Sequence, residues 1–307
     1  MSFYIKTYCT ISVLDSFENG ILSTIDSGSR QLIEPEYKQY VPANLLRRMN
    51  KVLKMGVSCG VRLGQDEELD GIVIGSGIGT YENSVQFTKH YLNKSEGALS
   101  PTTFIQSTDN TIAGQLALIL NNYGYNNTYI HKGVAFENAL LDAGLNITEG
   151  AHKMLVGGLD EWIDIFHQEN ETNWIAEGAS FFTISDDASL PVKVERVWVL
   201  DNEGDISADV KKYLNDQKLD TPDLILFGNS FTENAIDDFQ LGEIPTYNYS
   251  AVSGVYWTNS AFALQLACEI LTDRAQAKEK AFSARKILIV NNFNQSQIGL
   301  TYVTSNE

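Results

Sequence analysis

Four histidines, three cysteines and one glycine-rich run are the residues of this chain whose types could carry chemistry. His90, His131, His152 and His167 lack a second histidine or a cysteine at metal-ligand spacing, so no metal site is expected. His131 stands apart because it lies between the strand-like Tyr129 and Ile130 and the helix that follows Gly133. A strand-to-helix elbow of this kind aims the free N–H groups of the helix at whatever occupies the turn, and enzymes place nucleophiles or anion sites there. A histidine at the elbow could act as a base or accept an acyl group, but no acid or nucleophile is placed beside it. With Lys132 next to it, a polar contact or a subunit-interface role is the expectation. Residues 71–79, GIVIGSGIG, follow a buried strand and lead toward a helix over 83–92, the context of a dinucleotide loop. The next twenty-odd residues offer no strand ending in an acid for the ribose, so no cofactor is expected.

The elements that would position this elbow run from residue 100 to residue 158. Ile112, Leu116, Ile119 and Leu120 form an i, i+4, i+7, i+8 stripe, and Asp109 or Thr108 could cap the helix they define. Residues 134–143 read as the second helix, and 153–156 as a buried strand ended by Gly157 and Gly158. Residues 160–172, rich in acids and aromatics, read as a surface loop and short helix. Upstream, 4–12 alternates as a strand, 16–41 has no clear period, and 45–63 reads as one helix with Arg47, Lys51 and Lys54 on its polar face. That basic stripe reads as a solvated face, the alternative being a docking spot for an acidic carrier protein or a partner subunit. Downstream come strands at 181–184, 192–200, 224–227, 286–290 and 298–303, with helices at 206–215 and 258–278. The unbroken apolar runs at 72–74, 154–156, 224–227 and 287–290 suit parallel strands covered on both faces. Strands alternate with helices throughout, which predicts α/β layers without a separable linker.

The composition narrows the partners. A chain of 307 residues with 43% hydrophobic residues can bury a large core. Its formal charge of −17 argues against nucleic acid and against an anionic membrane surface. No apolar run is long enough to span a bilayer, and the start, MSFYIKTYCT, has no signal-like apolar region. Cys9, Cys59 and Cys268 are too scattered for a disulfide scaffold, so a cytoplasmic location is expected.

The motifs also resemble those of the β-ketoacyl synthases, condensing enzymes of the thiolase superfamily. The matching pieces are residues 71–79, 100–108 (SPTTFIQST), 110–114 (NTIAG), 128–133 and the pair Gly157-Gly158, with 250–267 and 287–293 continuing the match. The resemblance implies a thiolase-like αβαβα fold of five layers built from two fused similar halves, here residues 1–185 and 186–307. It also implies a Cys-His-His triad, and this chain departs from it at each position. Aligning Thr128 and Gly133 with the family's Thr-Ala-Cys-x-x-Gly turn puts Ile130 at the cysteine. Phe227 stands at the first histidine and Val255 at the second, while Asn294, Gln295, Ser296 and Gln297 replace the Gly-Phe-Gly-Gly loop of the oxyanion hole. Three apolar side chains cannot form a thioester, polarise its carbonyl or assist decarboxylation.

What the resemblance then implies is a divergent, non-catalytic subunit similar to a chain length factor. Such a subunit pairs with an active ketosynthase, or with itself, in fatty-acid or polyketide-type biosynthesis, and acyl carrier protein is a further partner. The spelling of the elbow is similar to that of proteins from aryl polyene pigment pathways. Two alternatives stay open: an acyltransferase or thioester hydrolase with an altered centre near His131, Asn229 or Ser230, and an acyl-binding homodimer scaffold.

Overall fold

A computed structural model describes residues 2–26, 31–93, 101–163, 175–202, 204–228, 241–294 and 296–306. Its strands are β1 (Phe3–Ile11), β2 (Gly71–Ser76), β3 (Tyr125–Ile130), β4 (Lys153–Asp160), β5 (Gly178–Ser185), β6 (Val192–Asp201), β7 (Leu224–Gly228), β8 (Thr246–Asn248), β9 (Lys286–Asn294) and β10 (Gln297–Ser305). The helices of ten residues or more among the described residues are α1 (Lys51–Gly64), α2 (Tyr81–Leu92), α3 (Thr111–Leu120), α4 (Ala135–Thr148), α5 (Ile206–Asp216) and α6 (Ser260–Thr272).

The strands follow the order β3-β2-β4-β5-β1-β6-β10-β9-β7-β8. Reading outward from the β1–β6 contact, each side gives the same sequence of pairings: two antiparallel, then two parallel. The two sides meet only through Phe3–Val194, Tyr4–Lys193 and Ile5–Val192, so one ladder turns a corner where two separate sheets were expected.

Side-chain alternation on the strands sets the layers, because successive residues face opposite sides. Val73, Met154, Val156, Phe182 and Ile184 point inward to meet Leu224, Leu226, Ile287 and Ile289 across the middle layer of α4 and α6. Ile72, Ile74, Leu155 and Phe181 point outward onto α1 and α3. In the second half Ile225, Phe227, Leu288 and Val290 point outward onto Val210 and Leu214 of α5. The result is helix, sheet, helix, sheet, helix. α6 is buried from Ser260 to Leu271, as an all-round apolar helix in the central layer must be.

Several boundaries differ from the sequence expectation for identifiable reasons. The helix expected over 45–63 breaks at residues 47–50, because the Asn50 side chain accepts from the Leu53 N–H and starts α1 afresh. Asp273 does the same beyond α6 by accepting from the Gln276 N–H, which splits the long expected helix in two. Neither Thr108 nor Asp109 caps α3; Asn110 occupies that position without a side-chain cap bond. Gly157 and Gly158 do not end β4 but lie within it, with the Phe181 ring over the first and Phe136 and Ala261 against the second. Residues 101–106 form a short helix, and 16–41 contain two short helices, Ser16–Asn19 and Ile21–Thr24. Among the described residues no helix is long and apolar enough to cross a membrane.

Candidate functional site: the elbow between β3 and α4

β3 runs parallel to β2 in full register, from Gly71–Tyr125 to Ser76–Ile130, and ends at the elbow. There the backbone makes a sharp turn: Lys132 adopts φ +47°, a left-handed conformation costly for a residue with a Cβ, and α4 starts at Ala135. The Lys132 N–H donates to the Gly77 carbonyl at 3.1 Å, tying the elbow to the turn after β2. Gly77 is required here because a Cβ would lie 2.3 Å from the Trp257 side chain.

Beneath the turn lies a buried carboxylate that the sequence reading put in a surface loop. Asp160, the last residue of β4, is fully buried. Its Oδ1 accepts from Ser76 Oγ at 3.0 Å and the Gly77 N–H at 2.7 Å; its Oδ2 accepts from the Thr258 N–H at 2.9 Å and Thr258 Oγ1 at 2.8 Å. One side chain thus joins the turn after β2 to the segment leading into α6. Burial pushes its pKa up to about 6, against the lowering effect of these four donors. A signal for it existed: an acid that directly follows a buried apolar-glycine run ends a strand and is not yet in solvent.

A second buried carboxyl sits in the first turn of α4. Glu137 Oε1 accepts from Asn291 Nδ2 at 2.8 Å, and the same amide group donates to the Gly133 carbonyl at 2.6 Å and reaches Ser260 Oγ at 3.3 Å. Among the described residues Glu137 Oε2 has no hydrogen-bond partner. Burial raises its pKa to about 7, so near neutral pH it exchanges a proton inside the core. Asn291 therefore holds elbow, α4 and α6 together from β9. Sequence reasoning had only the apolar run 287–290 to work with and passed over the asparagine after it.

The sequence-derived positions have different surroundings. Ile130, at the end of β3, is 37% exposed. Phe227 is fully buried and packs in the outer cluster with Ile225, Leu288 and Val290. Val255 is buried and bridges Ile175. Asn229, Ser230 and Gln295 lie outside the described residues, as does His167. His131 is exposed, and Asn138 Nδ2 lies 2.9 Å from its Nδ1. The same amide nitrogen donates to the Val134 carbonyl at 2.9 Å, which fixes it as the NH2 end. Nδ1 is then the acceptor of this hydrogen bond. His152 is likewise spoken for, paired with Asp186 at 2.8 Å. On α1, Lys51 is paired with Glu177, which also accepts from the Trp162 N–H.

The outer edge of this region is distinctive. Among the described residues β3 pairs with β2 alone and is the terminal strand of the sheet. Around it Tyr123 is 95% exposed, and Leu118 of α3 and Leu145 of α4 are exposed leucines on the helices either side.

Comparison with known proteins places this architecture. The family model described as Beta-ketoacyl synthase, N-terminal domain, matches residues 28–224, more than half of the chain. No curated protein sequence matches. Among solved structures, the ishigamide ketosynthase/chain length factor superposes with a TM-score of 0.77 at 16% identity, covering 99% of both chains. A type II polyketide synthase acyl-carrier protein in complex with its ketosynthase, AntDE:AntF, gives 0.76 at 15% identity, again covering 99% of both. The ketosynthase ApeO in complex with its chain length factor ApeC, from Xenorhabdus doucetiae, gives 0.55 at 17% identity, covering 66% of this chain and 84% of that one.

Proposed function

The chain belongs to the β-ketoacyl synthase family, and from that premise we propose that it is a non-catalytic subunit of the chain-length-factor kind, built to pair with an active ketosynthase. The observation that carries this is the elbow itself. A strand, a left-handed turn and a helix follow one another here, and the alignment with the family's Thr-Ala-Cys-x-x-Gly turn puts Ile130 at the place of the nucleophile. An isoleucine cannot attack a thioester. Phe227 and Val255 stand for the two histidines of the triad, so no group remains to polarise a carbonyl or assist decarboxylation. The alternative of acyl transfer through His131 is less supported, because the side-chain partner of its Nδ1 is the neutral Asn138 and not an acid that would orient it as a base.

Pairing is supported by the β3 edge. A terminal strand with one unpaired row of backbone groups, flanked by exposed leucines on both neighbouring helices, is an aggregation liability unless another chain covers it. The partner is an active ketosynthase when one is present and a second copy otherwise, with acyl carrier protein as the substrate carrier in fatty-acid or polyketide-type, and specifically aryl polyene, biosynthesis. The halves 1–185 and 186–307 are the two units of a duplicated fold, a reading supported by their matching strand order. A cytoplasmic setting suits the free thiols of Cys9, Cys59 and Cys268.

The test is direct. The isolated protein is incubated with malonyl- and acyl-carrier substrates and the products are followed by mass. No condensation or decarboxylation above a heat-killed control is expected. Turnover would overturn the non-catalytic reading, and its loss in His131→Ala would move the assignment to the acyltransferase alternative.

A further inference from the structure

Three stretches of this chain run for twenty residues or more without a charged side chain: 110–130, 244–268 and 287–306. Two of them have their reason in burial. α6, which starts within the second, is buried from Ser260 to Leu271, and the third supplies β9 and β10, each with a strand on either side. The first comprises α3, β3 and the turn between them, and it lies at the surface. Leu118 is 74% exposed and Tyr123 95%. One residue in five of this chain is charged, so a surface stretch with none is a departure that burial within one chain does not explain.

β3 also lacks the devices that keep an edge strand from pairing. It has no lysine, no proline and no bulge, since its register with β2 is continuous from Tyr125 to Ile130. α3 and β3 form one surface: Asn126 Nδ2 donates to the Ala113 carbonyl at 3.0 Å, and Thr128 Oγ1 donates to Asn110 Oδ1 at 2.9 Å. Along α3 a groove of about 470 Å³ is lined by Ile105, Gly114, Leu118 and Tyr123 among others. Above Gly114 it is open, because a Cβ at that position would meet nothing within 4 Å.

Tyr123 is held outward beside this groove by its neighbours in the chain. Asn121 takes φ +52° and ends α3 in the left-handed conformation that asparagine tolerates. The Asn122 N–H donates to the Ala117 carbonyl at 2.9 Å, and its side chain accepts from the Gly124 N–H at 3.2 Å while donating to the Leu69 carbonyl. Gly124 passes so close to the Asp70 carbonyl that a Cβ would lie 2.0 Å from its oxygen. A turn fixed on both sides of Tyr123 thus projects a large aromatic side chain into solvent on a backbone that is already ordered.

On the premise of the pairing described above, we propose that this surface meets the same surface of a second copy of the chain, and that Tyr123 of each copy enters the groove beside Gly114 of the other. Two features select a second copy. Each copy carries a net charge of −17, so two copies repel least where charge is absent, and residues 110–130 supply such a surface. A two-fold contact also needs projection and hollow on one surface, and Tyr123 stands beside its own groove. A two-fold axis near Tyr123 then seats both tyrosines at once and covers Leu118, which shares the lining. Tyrosine is among the residues that anchor interfaces when desolvated at their centre.

Sedimentation of the full chain over a concentration series, joined to tyrosine nitration by tetranitromethane read by mass spectrometry, tests this. In the dimer Tyr123 is expected to react at least about tenfold more slowly than in the urea-unfolded chain; at 95% exposure in a lone chain it would react as fast folded as unfolded. Tyr123→Ala removes the projecting ring, and Gly114→Trp fills the groove from a position with free space above it. Each is expected to weaken the dimer about a hundredfold or more, because a symmetric pair loses the contact twice. Tyr123→Phe, which keeps the ring, is expected to stay within about threefold of the unaltered chain. A dimer in which Tyr123 reacts at the unfolded rate, or that either Tyr123→Ala or Gly114→Trp shifts by less than about threefold, would overturn the proposed anchor and leave the β3 pairing standing. A monomer of the unaltered chain at micromolar concentration would overturn both.

Discussion

The floor and the lip of the elbow lie side by side and are opposite in character. The floor is a closed polar structure: Asp160 accepts four hydrogen bonds and Asn291 links Gly133, Glu137 and Ser260. The lip is open, with Ile130, His131 and Lys132 all exposed. Catalysis in this family needs both, a rigid floor to aim the turn and a reactive group on the lip. On the proposed reading the aiming apparatus is kept and the group aimed is inert. The difference teaches that a buried hydrogen-bond network can hold a turn in place whatever side chain the turn carries.

Substitutions can break this comparison, and the largest effect is expected in the sheet that supports the floor. Leu226 is fully buried between layers, and Leu226→Asp would place an unpaired charge there. Destabilisation of several kcal/mol is expected. A soluble variant with an unchanged melting temperature would contradict the buried placement of β7.

Next comes the floor itself. Asp160→Ala would strand the donors of Ser76, Gly77 and Thr258 in a dry interior, a loss of about 3 kcal/mol. Ile130→Ala on the exposed lip should cost less than about 1 kcal/mol. Denaturant melts of the two variants side by side would erase the proposed distinction if their losses were equal.

The floor should also give the protein an inverted pH dependence. Glu137 has its pKa raised from 4.5 to about 7 and Asp160 from 3.8 to about 6, both chiefly by burial, and Glu269 is raised as well. A carboxyl with a raised folded pKa binds more protons when folded than when unfolded. Stability is therefore greatest near the unfolded pKa and falls as pH rises through the folded one. Glu137 alone corresponds to about 3 kcal/mol lost between pH 4.5 and pH 7 and above. Glu137→Gln, which keeps the shape and removes the titration, should flatten the melting temperature across this window. A wild-type melting temperature that rises from pH 5 to pH 8 would contradict this account.

Much of the scaffold was legible in the sequence. The runs 72–74, 154–156, 224–227 and 287–290 are buried strands because parallel strands covered on both faces need apolar residues at every position, whatever lies around them. The glycines were read as turn formers, yet Gly157 and Gly158 are strand residues. Their reason for being glycine is the ring of Phe181 and the side chains of Phe136 and Ala261, partners far away in sequence. The floor was illegible for the same reason. Asp160 looks like the first residue of an acidic loop until Ser76 and Thr258 are brought to it, from 84 and 98 positions away. Periodicity reports which face of an element is buried; it does not report which polar residue on another element completes a buried network.

The largest change in assembly is expected at the β3 edge. Tyr129 lies in the middle of the terminal strand, and Tyr129→Pro removes one backbone donor from its free or paired side. A shift from dimer to monomer is the expected outcome, read by sedimentation.

Light scattering of the unaltered protein at micromolar concentration tests the pairing account most directly. A stable dimer, at twice the 34.1 kDa of one chain, is expected when the protein is expressed alone, because the β3 edge and its flanking leucines need a cover. A stable monomer under these conditions would mean that the edge is tolerated in solvent, and the chain-length-factor reading would lose its physical basis.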